Sequence, residues 1–155
     1  MRSVGLVQAI PNEPLEPAAA GSVDDTEFFR LKREFARTSY DDWLVLAADA
    51  GVLGPAETVT PDGTTIEGME PAARARWAMD VVGDVAAIVR EQEYEEVAVL
   101  ASRAMRTTLN ERGGFRTRIG SAGASTSEPL AGFGGAERQQ QWLTEQLEIR
   151  RRDRS

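Results

Sequence analysis

The sequence predicts an α/β fold, a three-layer α/β/α sandwich built on a mostly parallel sheet of about four strands. Three uninterrupted apolar runs carry this expectation: Ser3–Ala9, Trp43–Ala48 and Val97–Ala101. Each is too short for a typical globular helix and lacks the polar alternation of a half-wet strand, so each reads as a strand covered on both faces. Amphipathic helical periods separate the runs, an order that predicts parallel pairing and right-handed crossovers. At 155 residues with 41% hydrophobic side chains, the chain can bury a core without disulfides or metal. A single domain is expected over residues 1–149, with an Arg-rich tail fraying at 150–155.

The first strand, Ser3–Ala9, carries Gln8 as its only large polar side chain. Pro11, Pro14 and Pro17 make Ile10–Ala20 a loop leaving that strand's carboxyl end. Asp24, Asp25 and Thr26 offer N-cap oxygens, and Glu27 suits a first helical turn. In the helix that follows, Phe28, Leu31, Phe35 and Ala36 form the buried stripe, while Arg30, Lys32, Arg33 and Arg37 are assigned to the wet side.

The chain is organised around the next stretch, Asp42–Leu53, whose strand ends abruptly in the turn Asp49-Ala50-Gly51. It is read as the central strand, and open α/β sheets place their ligands at the carboxyl ends of such strands. Gly54-Pro55 and Pro61-Asp62-Gly63 punctuate a long loop. Glu70-Pro71 then opens the clearest helix, with Ala73, Trp77, Val81, Val85 and Ile88 spaced by three or four, ending near Gln92.

After the third run, Ser102 caps a short helix bearing Ala104, Met105 and Leu109, closed by Gly113-Gly114. Phe115–Ile119 alternates in the manner of an edge strand with Arg116 and Arg118 on its wet face. Gly120–Ser127 reads as a flexible connector. Glu137–Arg150 is the last helix, burying Trp142, Leu143 and Leu147. Both Trp77 and Trp142 sit at helical spacing and are expected as core anchors.

Cys and His are absent, which removes thiolate nucleophiles, imidazole bases, haem attachment and the usual zinc sites. Carboxylates, hydroxyls, Arg, Tyr and the single lysine, Lys32, remain. No resident metal or cofactor is expected; a metal would have to be a hard cation on oxygen ligands, with magnesium the candidate under an enzymatic reading. The net charge of −7 and the near absence of lysine suit a high-salt cytoplasm, as in a haloarchaeon or its virus. The same acidity opposes general nucleic-acid binding, although Arg116, Arg118 and the terminal arginines form local basic patches. No apolar stretch approaches the roughly 20 residues of a membrane span, and Val4–Ile10 meets Pro and Glu too soon for a secretory signal. A cytoplasmic location, or a virion-associated one for a viral protein, is expected, with no membrane partner.

Candidate site residues gather at the carboxyl ends of the first two strands. Asp49, in the turn beside Gly51, has the placement to bind a ribose hydroxyl or magnesium. Glu13 and Asn12 approach it if the first two strands are neighbours, and Asp62 lies in the loop beyond. Gly132-Phe133-Gly134-Gly135 precedes the last helix and presents backbone N–H groups, opposed by the carboxylate of Glu137. The glycine pattern lacks the Lys and Ser/Thr of a P-loop. Gln8, Asn12, Gly51, Gly132 and Gly134 are the expected ligand contacts.

The order of Val7-Gln8-Ala9, Phe28-Phe29-Arg30, Trp43–Leu53, Pro61, Trp77-Ala78 and the third strand, then Pro129-Leu130-Ala131-Gly132-Phe133-Gly134 and Gln141-Trp142-Leu143, resembles a small domain of unknown function found in bacteria, haloarchaea and their viruses, itself similar to YaaA-type proteins. The resemblance covers most of the chain and implies the fold and a nucleotide-sized cleft. It also implies a Cys and a Lys after the first strand, a Ser-Ala-Lys-His-Gly turn after the second and a Tyr-Asp pair beyond. Here those positions read Ala9, Asn12–Pro14, Ala47–Gly51 and Asp62-Gly63.

Two functions follow. The first is a non-catalytic module, a pseudoenzyme that binds a protein partner or a small nucleotide-like ligand. The alternative is an enzyme directed at nucleosides or nucleobases, with Asp49, Glu13 and Asp62 as acid/base carboxylates.

Overall fold

The middle strand of the sheet is β1 (Ser3–Gln8), and all of its residues are buried. The computed structural model describes residues 2–11 and 15–153. After β1 come β2 (Ala18–Ala19) and a 3₁₀ turn at Ala20–Ser22. Next are α1 (Glu27–Ser39), β3 (Asp42–Ala47), β4 (Gly51–Leu53) and β5 (Thr58–Val59). Helix α2 (Pro71–Gln92), β6 (Glu96–Leu100), α3 (Arg103–Gly113), α4 (Phe115–Ser121), β7 (Ser125–Ser127) and α5 (Gly135–Asp153) complete the chain.

Five strands run in the order β4-β3-β1-β6-β7, all parallel except β4, which turns back against β3. Strands β2 and β5 form a separate antiparallel ribbon. Alternate residues of β1 serve opposite layers. Val4 and Leu6 pack with Val81, Val85, Met105 and Ile119 of α2, α3 and α4, whereas Val7 packs with Phe29, Phe35 and Leu143 of α1 and α5. The predicted α/β/α sandwich with a mostly parallel sheet is thus the observed architecture. Gly5 lets α1 close on the sheet, since a Cβ there would stand 2.8 Å from Cδ2 of Tyr40.

Several elements depart from the sequence expectation. The stretch Trp43–Ala48 is interior but lies beside the middle strand, and its first residues are only half-buried. The cause is the brevity of β4, whose three residues pair only with Val45, Leu46 and Ala47. Phe115–Ile119 is helical, not an edge strand. Phe115 and Ile119 stand four apart, a spacing that puts both on one face of a strand or of a helix; here they bury under α2 after Gly114, at φ +60°, redirects the chain. The expected connector Gly120–Ser127 contains β7, held by backbone pairing of Ser125–Ser127 with Glu96–Ala98.

At the far end, α5 continues as helix to Asp153 where fraying was expected from Arg150. The Arg150 guanidinium lies 4.6 Å from the Phe35 ring centre and donates to the Thr38 hydroxyl at 2.8 Å and to the Ser39 hydroxyl, all at the carboxyl end of α1. Cations are favoured at that end of a helix dipole. Among the described residues, no helix is long and apolar enough to cross a membrane.

Candidate functional site

From β1 the chain crosses through α1 to β3 on one side, and from β3 it returns through α2 to β6 on the other. The two crossovers cover opposite faces, so a crevice opens between the carboxyl ends of β1 and β6, the position where open sheets bind ligands. A cleft of about 950 Å³ lies there, walled by the start of α1, the start of α3 and the Gly132–Ala136 segment leading into α5.

The α1 wall is fixed by Asp24. One of its carboxylate oxygens accepts from the Ile10 amide at 2.8 Å, tying the loop to the end of β1, and the other accepts from the Thr26 amide at 2.9 Å and hydroxyl at 2.7 Å. Thr26 in turn accepts from the Phe29 amide at 3.1 Å and caps α1. Lys32 therefore enters the cleft at a set height. Its side chain is buried, not on the wet side as expected: only 5% of the residue is exposed, and Nζ donates to the Gln8 carbonyl at 2.9 Å. Phe28, one turn earlier, places its ring centre 4.5 Å from Nζ. Burial pushes the ammonium down to about 8, partly opposed by the field of Asp24.

Gln8 is the second buried polar group. Its amide oxygen accepts from the Ser102 N–H at 2.6 Å, and Ser102 caps α3 by accepting from the Met105 amide. Gln139, 8% exposed, is the third, and its side chain has no hydrogen-bond partner among the described residues. Four of the six buried polar or charged residues that are described, Gln8, Asp24, Lys32 and Gln139, line this one cleft. Buried polar groups cost free energy unless satisfied, so such a concentration marks a place built for polar contact.

Arg103 and Arg106 add cationic charge. Arg106 is held by the Ala101 carbonyl at 3.1 Å and by Glu128 at 3.6 Å, and Glu128 also takes Arg116 at 2.6 Å. Gly132 and Gly135 hold φ values of +91° and +87°, which only glycine adopts freely, and α5 starts from the second of them. A smaller cleft of about 230 Å³ shares Gln8, Ile10 and Ser102 with the first and extends to Ala9, Ala48 and Ile66.

Of the sequence-predicted contacts, Gln8, Gly132 and Gly134 meet in the main cleft. Asp49 and Asp62 meet each other outside both clefts. Asp49 accepts from its neighbour Ala50 at 2.7 Å and from the Asp62 amide at 3.1 Å, while Asp62 accepts from the Thr64 amide at 2.9 Å. Contacts to Thr64, side chain foremost, hold the Asp62 carboxyl below its usual range. Gly51 is buried at the start of β4 with φ +81°, where a Cβ would touch Val81 at 3.4 Å; its place is the hairpin. Asn12 and Glu13 lie outside the described residues. Among the described residues, no three His, Cys, Asp or Glu side chains gather as a metal site.

Lys32, Gln139, Asp24 and Arg103 were not among the candidates. Lys32 had a legible signal, because it falls four residues after Phe28 and three or four before Phe35 and Ala36, inside the apolar stripe rather than opposite it.

A mostly parallel sheet, covered on both faces and open at its switch point into a cleft, defines an open-sheet α/β domain. Residues 6–145 match the family of unknown function DUF6884, and the chain belongs to that family. No curated protein and no solved structure matches it.

Proposed function

We propose that this domain is a non-catalytic binding module whose ligand is a small, nucleotide-like molecule held in the cleft between β1 and β6. One observation carries the reading: Lys32, Gln8 and Gln139, all buried, face a cavity large enough for a nucleotide and keep donors that the protein itself leaves unused. A core would not retain such groups without use. Distant kinship with YaaA-type proteins, and a high-salt host, belong to the same reading; the order of the motifs supports the first, and the acidic composition with a single lysine the second.

The test is thermal unfolding and calorimetry with nucleosides and nucleotides, at high and at moderate salt. Saturable binding with a rise in Tm is the expected result, since a ligand that binds only the folded state stabilises it by mass action. If none binds at millimolar concentration, while a pull-down in high salt recovers one stoichiometric protein, the cleft is replaced by a protein-binding surface.

A second reading has its own observation, the meeting of Asp49 with Asp62 at the strand ends. Two carboxylates are enough for glycosidic cleavage of a nucleoside, with magnesium as an optional aid. Release of free base from nucleosides, abolished by Asp49→Asn, would establish this enzyme in place of the binding module.

A further inference from the structure

We propose that the α5 end of this cleft is a phosphate site, formed by the free N–H groups at the start of α5 together with Lys32 and Gln139, so that the ligand is a phosphate monoester. The inference rests on the cleft being a small-molecule site and adds which end of the ligand goes where.

Helix α5 is 19 residues long and begins at Gly135, so its first-turn amides and the positive end of its dipole open toward the cleft at Gly134, Gly135 and Ala136. That alone would not make a site. The independent observation is Gln139, one turn into the same helix, which is 8% exposed, lines the cleft and has no hydrogen-bond partner among the described residues. Lys32 lines the same cleft, with Nζ donating to one carbonyl and two N–H bonds still available.

Taken over every wall, the cations of the cleft outnumber its carboxylates: Lys32, Arg103 and Arg106 stand against Asp24 and Glu27. Lys32 comes from α1, and Arg103 and Arg106 come from α3. Of the carboxylates near them, Asp24 accepts three hydrogen bonds from Ile10 and Thr26, Glu27 pairs with Arg30 at 2.8 Å, Glu128 holds Arg106 and Arg116, and Glu137, in the first turn of α5, is exposed and stands outside the cleft lining. A protein of net charge −7 thus lines one cleft with three cations and with donors that it leaves free. A phosphate carries acceptor oxygens for several donors, and the half-buried rings of Phe28 and Phe133, which line the same cleft, suit the organic part of the ester.

Calorimetry on the full chain would compare inorganic phosphate, uridine and uridine 5′-monophosphate. The monophosphate should bind at least about tenfold more tightly than uridine, and inorganic phosphate should compete with it. Lys32→Met should remove that advantage, bringing the monophosphate's affinity close to that of uridine measured on the same variant. Ala136→Pro, which deletes one first-turn N–H at a position where proline is compatible with a helix start, should weaken the monophosphate alone. Equal binding of uridine and its monophosphate, or an unchanged preference in both variants, would overturn the phosphate site while leaving the cleft as a ligand site. If neither compound nor phosphate binds, the cleft reading falls and this inference with it.

Discussion

Two places at the carboxyl edge of the sheet carry clusters of polar side chains, and they differ in what those side chains do. At the β3–β4 hairpin, Asp49 and Asp62 are spent on the backbone amides of Ala50, Asp62 and Thr64. In the cleft between β1 and β6, Lys32, Gln8 and Gln139 are more deeply buried and yet keep donors unfilled. Exposed carboxylates that close a turn need no ligand to account for them. Donors left spare by the protein at the wall of a cleft stay available to water or to a ligand.

The largest way to break the contrast is to detach the cleft's wall. Leu143 is fully buried and packs α5 on the sheet, so Leu143→Ala should cost about 3 kcal/mol in urea unfolding and abolish ligand binding with it.

A sharper separation comes from Lys32→Met. Because the folded pKa of Lys32 falls to about 8 from 10.5, the unfolded chain holds that proton more tightly, and the variant should be more stable than the parent by up to about 3 kcal/mol at neutral pH. The preference for the monophosphate over uridine should nonetheless be lost, so stability and phosphate recognition would move in opposite directions. In the parent protein the same linkage makes stability climb as pH rises from about 8 to 10.5, and Lys32→Met should flatten that climb. Tyr40 and Tyr94, both pushed up to about 12 by burial, act in the other sense. Above pH 10 the unfolded state loses their protons first, and stability falls toward 12.

Smaller effects are expected from the groups that only shape the walls. Thr26→Ala removes the α1 cap and should cost about 1 kcal/mol, with weaker ligand binding because the position of Lys32 is set from that end. Asp49→Ala should cost under about 1 kcal/mol and leave ligand affinity unchanged, as calorimetry would register. A loss of binding in Asp49→Ala would erase the distinction between the two regions.

The fold was legible wherever a residue pattern admitted one geometry. The three apolar strands, the Pro71 start of α2 and the Ser102 cap of α3 are local signals that tertiary packing did not override. Phe115–Ile119 failed because a four-residue spacing satisfies strand and helix alike, and β7 failed because its serines and threonine carry no apolar signal. The site was legible in part. Gln8 stood out as a lone polar group in a buried strand, and the glycines before α5 as open amides. Lys32 was misplaced by its chemistry: a cation at an apolar position was read as a surface residue, although its spacing belonged to the inner face. Gln139 carries no sequence signal at all, since a glutamine among Gln139, Gln140 and Gln141 looks solvated until the sheet beneath it is known.

The solitary lysine has a practical corollary. With every other basic side chain an arginine, an amine-selective acylating reagent finds on this chain only one ε-amino group, seated at the bottom of a crevice and part-neutral at mildly alkaline pH. Its rate of labelling, followed in the mass of the peptide that carries it and so apart from any α-amino group, would then act as a built-in footprint of whatever occupies the crevice.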